Sequence, residues 1–265
     1  MHVAYRKINV VLITAILIIG MHPFGLVQHH FGMDIETPRK ATSTSFGSGR
    51  ITGVNGIERQ ASYITGDAVF MDCFVNGTIV IQNQSVVLFD NVTLVGDYYT
   101  KFVEGEFKPK GFMEVYDTAI VTIQNSTINI EDGAYIVIQD NSTLILRNVS
   151  TVGEPWDSLE IYISGGASLI IENSNTSLYI RAYDSSNITM ISNDGSANIF
   201  LHNNTHISLS GKIMDFMYIQ VRDCSRVEID NVNNTDTASF SLDAYNNTLI
   251  AVSYTHLTLP TTERV

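Results

Sequence analysis

From the middle of this chain almost to its end, one short phrase keeps returning: a polar turn pair, then apolar–any–apolar. It reads Asn141-Ser142-Thr143-Leu144-Ile145-Leu146, then Ala167-Ser168-Leu169-Ile170-Ile171, then Ser186-Asn187-Ile188-Thr189-Met190. It returns as Asn204-Thr205-His206-Ile207-Ser208-Leu209, Ser225-Arg226-Val227-Glu228-Ile229 and Asn247-Thr248-Leu249-Ile250-Ala251. The steps from Ile188 to Ile207, Val227 and Leu249 are each about twenty residues, the period of a stacked β-coil. A second ladder, Ile199/Leu201, Ile219/Val221 and Phe240/Leu242, keeps the same period. Two ladders of equal period predict an all-β chain: a single-stranded parallel β-helix, or β-solenoid, behind an N-terminal signal or anchor helix. A sandwich of antiparallel hairpins is the rival, since it also places strands every 8–12 residues or so. It has no reason to repeat at a fixed twenty.

The coil rhythm sets the boundaries. Arg6 and Lys7 precede an apolar run from Ile8 to Gly20, broken only by Asn9 and Thr14. That length suits the hydrophobic part of a signal peptide and is short for a membrane span. Residues 1–28 are therefore expected to direct export to the cell surface or beyond, as a cleaved signal or a retained anchor; a buried helix of a cytosolic protein is the alternative. Residues 34–50, rich in Ser, Thr and Gly, read as a flexible linker. Residues 51–76 read as a cap over the first coil, because an open solenoid end exposes core and strand edges. The helix proper is expected over 77–252, with flank loops at 96–117 and 149–158. Residues 253–265 break the pattern, and Ser253 to Pro260 resembles a translated sequencing-library adapter.

The net charge of −12 excludes a nucleic-acid role, which needs clustered Lys and Arg. It leaves the N-terminal segment as the only expected membrane contact. Cys73 and Cys224 lie about seven coils apart, on the order of 30 Å at roughly 4.8 Å per coil. Bridged Cα atoms lie within about 7 Å, so two unpaired, buried thiols are expected.

Eleven Asn-x-Ser/Thr triplets start at Asn76, Asn83, Asn91, Asn125, Asn141, Asn148, Asn175, Asn187, Asn203, Asn233 and Asn246. In an exported protein they are candidate glycosylation sites. The structural reading is that turns favour Asn and strands favour Thr, so a turn followed by a strand writes the triplet unaided.

The coil rhythm and turn asparagines over Gly77 to Val252 resemble the right-handed parallel β-helix family, which includes pectate lyases, polygalacturonases and many surface adhesins. The resemblance implies either a surface role or a polysaccharide lyase or glycoside hydrolase. Asn234-Thr235-Asp236 matches the first polygalacturonase element, but Thr237 stands where glycine usually follows. The Asp pair, Gly-His-Gly turn and Arg-x-Lys are absent. Arg222, Asp223 and Arg226 lack the carboxylate cluster that a calcium-dependent lyase needs. Glu131-Asp132 are adjacent in sequence, and Glu160, Glu172 and Glu228 are expected to point outward, so no catalytic residue is assigned. His202 and His206 straddle one turn without a third metal ligand, and His29-His30 lies beside the signal segment. No metal or other cofactor is assigned, and an exported metal-handling role stays a third alternative.

The constellation with most chemistry is aromatic. If Ile161/Ile163, Leu178/Ile180, Ile199/Leu201 and Ile219/Val221 point inward, alternation turns Tyr162, Tyr179, Phe200 and Tyr218 outward. Stacked coils would set them roughly 5 Å apart as one stripe. With Trp156 on the nearby loop, they form a candidate platform for a polysaccharide or a surface protein. The alternative is that the rings merely stack on one another, or that the 96–117 segment folds over them.

Overall fold

A computed structural model describes the backbone of residues 34–36, 40–43, 46–52 and 58–253, apart from 98, 104–105, 111, 132–133, 155, 213, 234–238 and 247. Residues 1–28, Asp236 and the segment after Ser253 fall outside the described residues.

The strands alternate as their sequences require. In Leu159–Ile163 the Leu and both Ile are buried, while Glu160 and Tyr162 are half-buried on the outer side. Stacking such strands in parallel buries a continuous aliphatic column, and the result is a parallel β-solenoid of about eight turns. One sheet runs through Thr78–Ile81, Met113–Val115, Tyr135–Ile138, Leu159–Ile163, Asn175–Ala182, Asp194–Leu201, Phe216–Val221 and Ser239–Ala244. A second runs from Ala68–Met71 through Val86–Asp90, Ile120–Gln124, Thr143–Arg147, Ser168–Glu172, Asn187–Ile191, His206–Lys212 and Arg226–Asn233 to Leu249–Ser253. The early coils carry a third short ladder, Phe74–Asn76, Thr93–Asp97, Thr127–Glu131 and Ser150–Val152. At Asn175–Ala182 the first and third ladders merge into one eight-residue strand: Asn175 pairs with Ser150 and Leu178 with Leu159.

Ile188 pairs with Ile207, and Ile207 with Val227. The last coil corrects the expected register. Val227 pairs with Ile250, while Leu249 faces Arg226 and is exposed. The other ladder moves with it, since Met217 pairs with Phe240 and Ile219 with Leu242. Both steps are 23 residues, so a single longer coil accounts for both shifts. Because side chains alternate along a strand, the one-residue difference decides which of Leu249 and Ile250 takes the inward position.

The parallel ladders also begin before residue 77. Ala61 pairs with Thr78 and Ala68 with Val87, so the segment read as a cap already contributes to the first coil. Within the segment read as a linker, Asp34–Glu36, Lys40–Ser43 and Phe46–Thr52 run antiparallel against the solenoid's first strands. The insertion at 96–117 carries an antiparallel hairpin of Tyr99–Val103 and Glu106–Lys110. Its second strand passes near Tyr135–Ile138. No helix among the described residues is long and apolar enough to cross a membrane.

The corners explain the asparagines. Asp72, Asn91, Asn125, Asn148 and Asn173 hold φ between 49 and 55°, a left-handed conformation that Asn and Asp adopt at low cost. There the Asn125 N–H donates to the Arg147 carbonyl of the next coil at 3.0 Å, and the Asn148 N–H to Glu172 at 2.9 Å. The side chains repeat the pattern, with Asn148 Nδ2 donating to Asn125 Oδ1 at 2.8 Å. At the corner before the second sheet the inward position is always small: Ser85, Ala119, Ser142, Ala167, Ser186, Thr205 and Ser225 are all buried. The Ser142 hydroxyl donates to the Gln139 and Val115 carbonyls. Gly195 has φ +96°, and a Cβ there would run into the Thr176 carbonyl.

Both cysteines are unpaired. Cys73 is buried, and burial, with the Asp72 carboxylate, raises its pKa. Cys224 corrects the expectation of burial: it occupies a left-handed corner position, φ 63°, and is exposed. A thiol reagent is expected to label Cys224 in the native protein and Cys73 only after denaturation; two fast thiols would contradict this placement. Ile199 is fully buried and Ser208 faces outward on the second sheet. Ile199→Ala should therefore cost about 2–5 kcal/mol in chemical denaturation, against within about 0.5 kcal/mol for Ser208→Ala.

Candidate functional site

The outer surface of the first sheet becomes a grid once the strands are in register. Reading across successive coils gives Glu160-x-Tyr162-x-Ser164, Tyr179-x-Arg181-x-Tyr183, Asn198-x-Phe200-x-His202, Tyr218-x-Gln220-x-Arg222 and Ser241-x-Asp243-x-Tyr245. The intervening residues Ile161, Ile163, Ile180, Ala182, Ile199, Leu201, Ile219 and Val221 form the core beneath.

This arrangement corrects the single aromatic stripe. Tyr162 pairs with Arg181 and Arg181 with Phe200, whereas Tyr179 pairs with Asn198 and Asn198 with Tyr218. The four rings therefore alternate between two neighbouring columns. Tyr218 precedes Ile219 whereas Phe200 follows Ile199, so these two rings fall in different columns even on the expected register. Tyr179 is displaced because its strand has one further inward residue, Ala182. It is too small to announce itself as core, and reading only Leu178 and Ile180 as the inward pair shifts that strand by two residues. Trp156 sits on the connection before Leu159–Ile163, is 79% exposed, and makes no recorded ring contact with the grid among the described residues.

The ring planes fan open along the face. Tyr135 and Tyr162 stack at 4.8 Å with 19° between planes, so each covers a face of the other. Tyr179 and Phe200 lie 5.1 Å apart at 37°, and Phe200 meets Tyr218 edge-on at 6.0 Å and 67°. Arg181 lies over the Tyr162 and Tyr179 rings, 5.3 and 4.9 Å from their centroids. It donates to both hydroxyls, at 2.6 and 3.2 Å. Burial works against its charge, but these tyrosines hold its pKa above the ordinary arginine value. Tyr183 stacks on His202 at 5.3 Å, and Arg222 lies over Tyr245. Tyr218 donates to Asp243 at 2.9 Å and accepts from Gln220.

Nearer the N-terminus the same outer surface is covered. Val80, Glu114, Tyr135 and Val137 occupy outward positions of this sheet yet are all buried. The 99–110 hairpin passes beside this part of the sheet. Past Tyr162 the surface opens.

On this open face, among the described residues, the two outward carboxylates are too far apart for a hydrolytic pair. Glu160 and Asp243 are four coils apart, about 19 Å, against about 5–10 Å for glycoside hydrolysis. On the second sheet Glu172 pairs with Arg147 at 2.7 Å, and Glu228 pairs with Arg226 and lies 3.3 Å from His206. His202 and His206 face different sheets: His202 Nδ1 lies 3.7 Å from Asp223. Among the described residues no three His, Cys, Asp or Glu side chains are placed to hold a metal. The side chains of Glu131 and Asp132 lie outside the described residues.

Of the triplet asparagines, Asn83, Asn91, Asn125, Asn141, Asn148, Asn175, Asn187, Asn203 and Asn246 are exposed, Asn76 is half-buried, and the side chain of Asn233 lies outside the described residues. Six of the exposed ones (Asn83, Asn91, Asn125, Asn148, Asn203 and Asn246) have positive φ, which gives them a corner function whether or not a glycan is attached.

No family model, curated protein or solved structure matches the chain.

Tyr116 and Tyr135 have strongly raised pKa values, first through burial; next come the Glu114 charge and its hydrogen bond for Tyr116, and the hydrogen bond to Tyr162 for Tyr135. The native state therefore keeps protons that the unfolded chain releases above about pH 10, and stability falls as pH rises through that range. The melting temperature should drop between about pH 9 and pH 11, and the phenolate absorbance of these two residues should appear only with unfolding. Full titration of every tyrosine near pH 10 in a still-folded protein would refute this.

Proposed function

We propose that this protein is an exported adhesive or scaffolding β-solenoid that binds glycans along the open outer face of its first sheet. The observation that carries the reading is the grid from Tyr162 to Tyr245: aromatic, guanidinium and amide groups, half-buried but for the exposed Arg222 and Tyr245, on one face of a stacked sheet. Such a face offers ring surfaces for sugar C–H groups and planar donors for hydroxyls, held in place by strands rather than loops. Its dimensions favour a slender ligand. Four coil spacings by about six residues make roughly 400 Å², half of what each partner contributes to a standard protein interface.

The segment around Ile8 to Gly20 supports export, and the exposed asparagines support glycan attachment at the corners. Phe200 and Tyr218 meet edge-on and not face to face, so they are the proposed contact residues, with Tyr162, Tyr179 and the exposed Trp156 alongside.

Phe200→Ala combined with Tyr218→Ala should weaken retention on the preferred member of a glycan panel about tenfold, since aromatic contacts of this kind are worth about 0.5–1.5 kcal/mol each. Circular dichroism should stay that of a β-solenoid. Unchanged binding across the panel would remove the reading.

A further inference from the structure

The cations whose side chains the structure describes divide into two kinds. Arg147, Lys212 and Arg226 each pair with a carboxylate: Glu172, Asp194 and Glu228. Arg181 and Arg222 do not. Among the described residues their recorded contacts are tyrosine rings and hydroxyls only. Both lie on the aromatic face, two coils and one outward position apart, which is about 12 Å. Phe200 and His202 lie between them in the register. The outward positions of the three central rows, Tyr179 to Tyr183, Asn198 to His202 and Tyr218 to Arg222, carry no carboxylate, in a chain with 27 acidic and 15 basic residues; Asp184 lies on the corner just beyond Tyr183. Glu160 and Asp243 belong to the outermost coils, and Asp223 on the adjoining corner faces His202.

An acidic protein that leaves two guanidinium groups without a carboxylate partner among the described residues, both on an aromatic-rich face, keeps them available for an anion. The Tyr245 ring holds the Arg222 guanidinium and leaves its N–H groups for bidentate oxyanion contact, while Arg181 spends one N–H of each terminal nitrogen on a tyrosine hydroxyl and keeps the rest. We infer that the strip from Arg181 to Arg222, across Phe200 and His202, is a subsite for the anionic groups of an acidic glycan, carrying sulfate or carboxylate substituents. This inference rests on the glycan-binding reading of the same face and specifies its ligand.

Arg222 is the residue to alter, because it is exposed and among the described residues its side chain touches only the Tyr245 ring, whereas Arg181 also ties down two tyrosines. The full chain would be tested for retention on immobilised heparin, hyaluronan, neutral dextran and polyglutamate at low and moderate salt. Heparin tests sulfate and hyaluronan carboxylate. Retention on one or both of these, weakening with salt, is expected to exceed that on dextran. Arg222→Gln should reduce it about tenfold and Arg222→Glu should abolish it, while Arg226→Gln, on the second sheet, should leave it unchanged. Dextran binding equal to that of the acidic glycans, or acidic-glycan binding indifferent to Arg222→Gln, would overturn the anionic subsite and leave glycan binding in place. Retention on polyglutamate alone would make the occupant a protein and overturn both readings, as would retention on none of the four.

Discussion

Every coil of this protein hands its backbone hydrogen bonds to the next, and the hand-over at the corners decides whether the stack can continue. A strand interior has a ready partner in the neighbouring coil, but a corner must reverse direction while keeping its N–H aimed along the axis. The left-handed residues achieve this. Asn91, Asn125 and Asn148 each turn the chain and donate to a carbonyl one coil on. The inward side of the other corner accepts only a small residue, and a serine there returns its hydroxyl to the backbone. With both corners fixed, the aliphatic columns above and below come into register and the core closes without a helix or a disulfide. Solenoid stability is then close to a sum of neighbouring interfaces.

The same geometry makes the outer face what it is. Register converts a linear alternation into a two-dimensional array, so residues about twenty positions apart become neighbours at roughly 4.8 Å. Tyr162, Arg181 and Phe200 meet only because Ile161, Ile180 and Ile199 are stacked beneath them. The rigidity of the core thus passes directly to the spacing of rings and guanidinium groups, and the affinity of an extended ligand would depend on that spacing. The N-terminal part of the surface is already covered, as the buried outward residues Val80, Glu114 and Val137 show. The chain leaves open only the part rich in Tyr, Arg, Asn and Gln.

The architecture was legible from sequence because its signal is redundant: two apolar ladders and a corner asparagine recur at one period. What escaped was whatever lacked redundancy. Ala182 is core but too small to mark itself, and missing it set Tyr179 in the column of Tyr162 and Phe200; Tyr218 was set there although it precedes its inward partner Ile219 instead of following it. The last coil is longer, so a fixed period set Leu249 where Ile250 belongs. Cys224 was expected inside because thiols usually are, yet the corner pattern that places Ser185 and Asn204 in left-handed positions also places Cys224 there. Tyr183 and Tyr245 were not singled out, and His202 and Arg222 were weighed for a metal and for lyase chemistry, not as part of this face. Each follows the last inward residue of its strand by one, a spacing that sequence could have shown once the three-residue inward set was recognised.

The central claim, parallel coils in constant register, is tested most directly by a series of distances between spin labels. With Cys73 and Cys224 replaced by serine, one label would be fixed at Thr122 and a second moved through Thr189, Ser208 and Glu228, which the register places in one outward column. These positions lie three, four and five coils away, so the account predicts separations of about 14, 19 and 24 Å, rising by one coil height at each step. Distances that fail to rise in equal steps, or that shorten as the sequence separation grows, would contradict the stacked solenoid and everything built on its face.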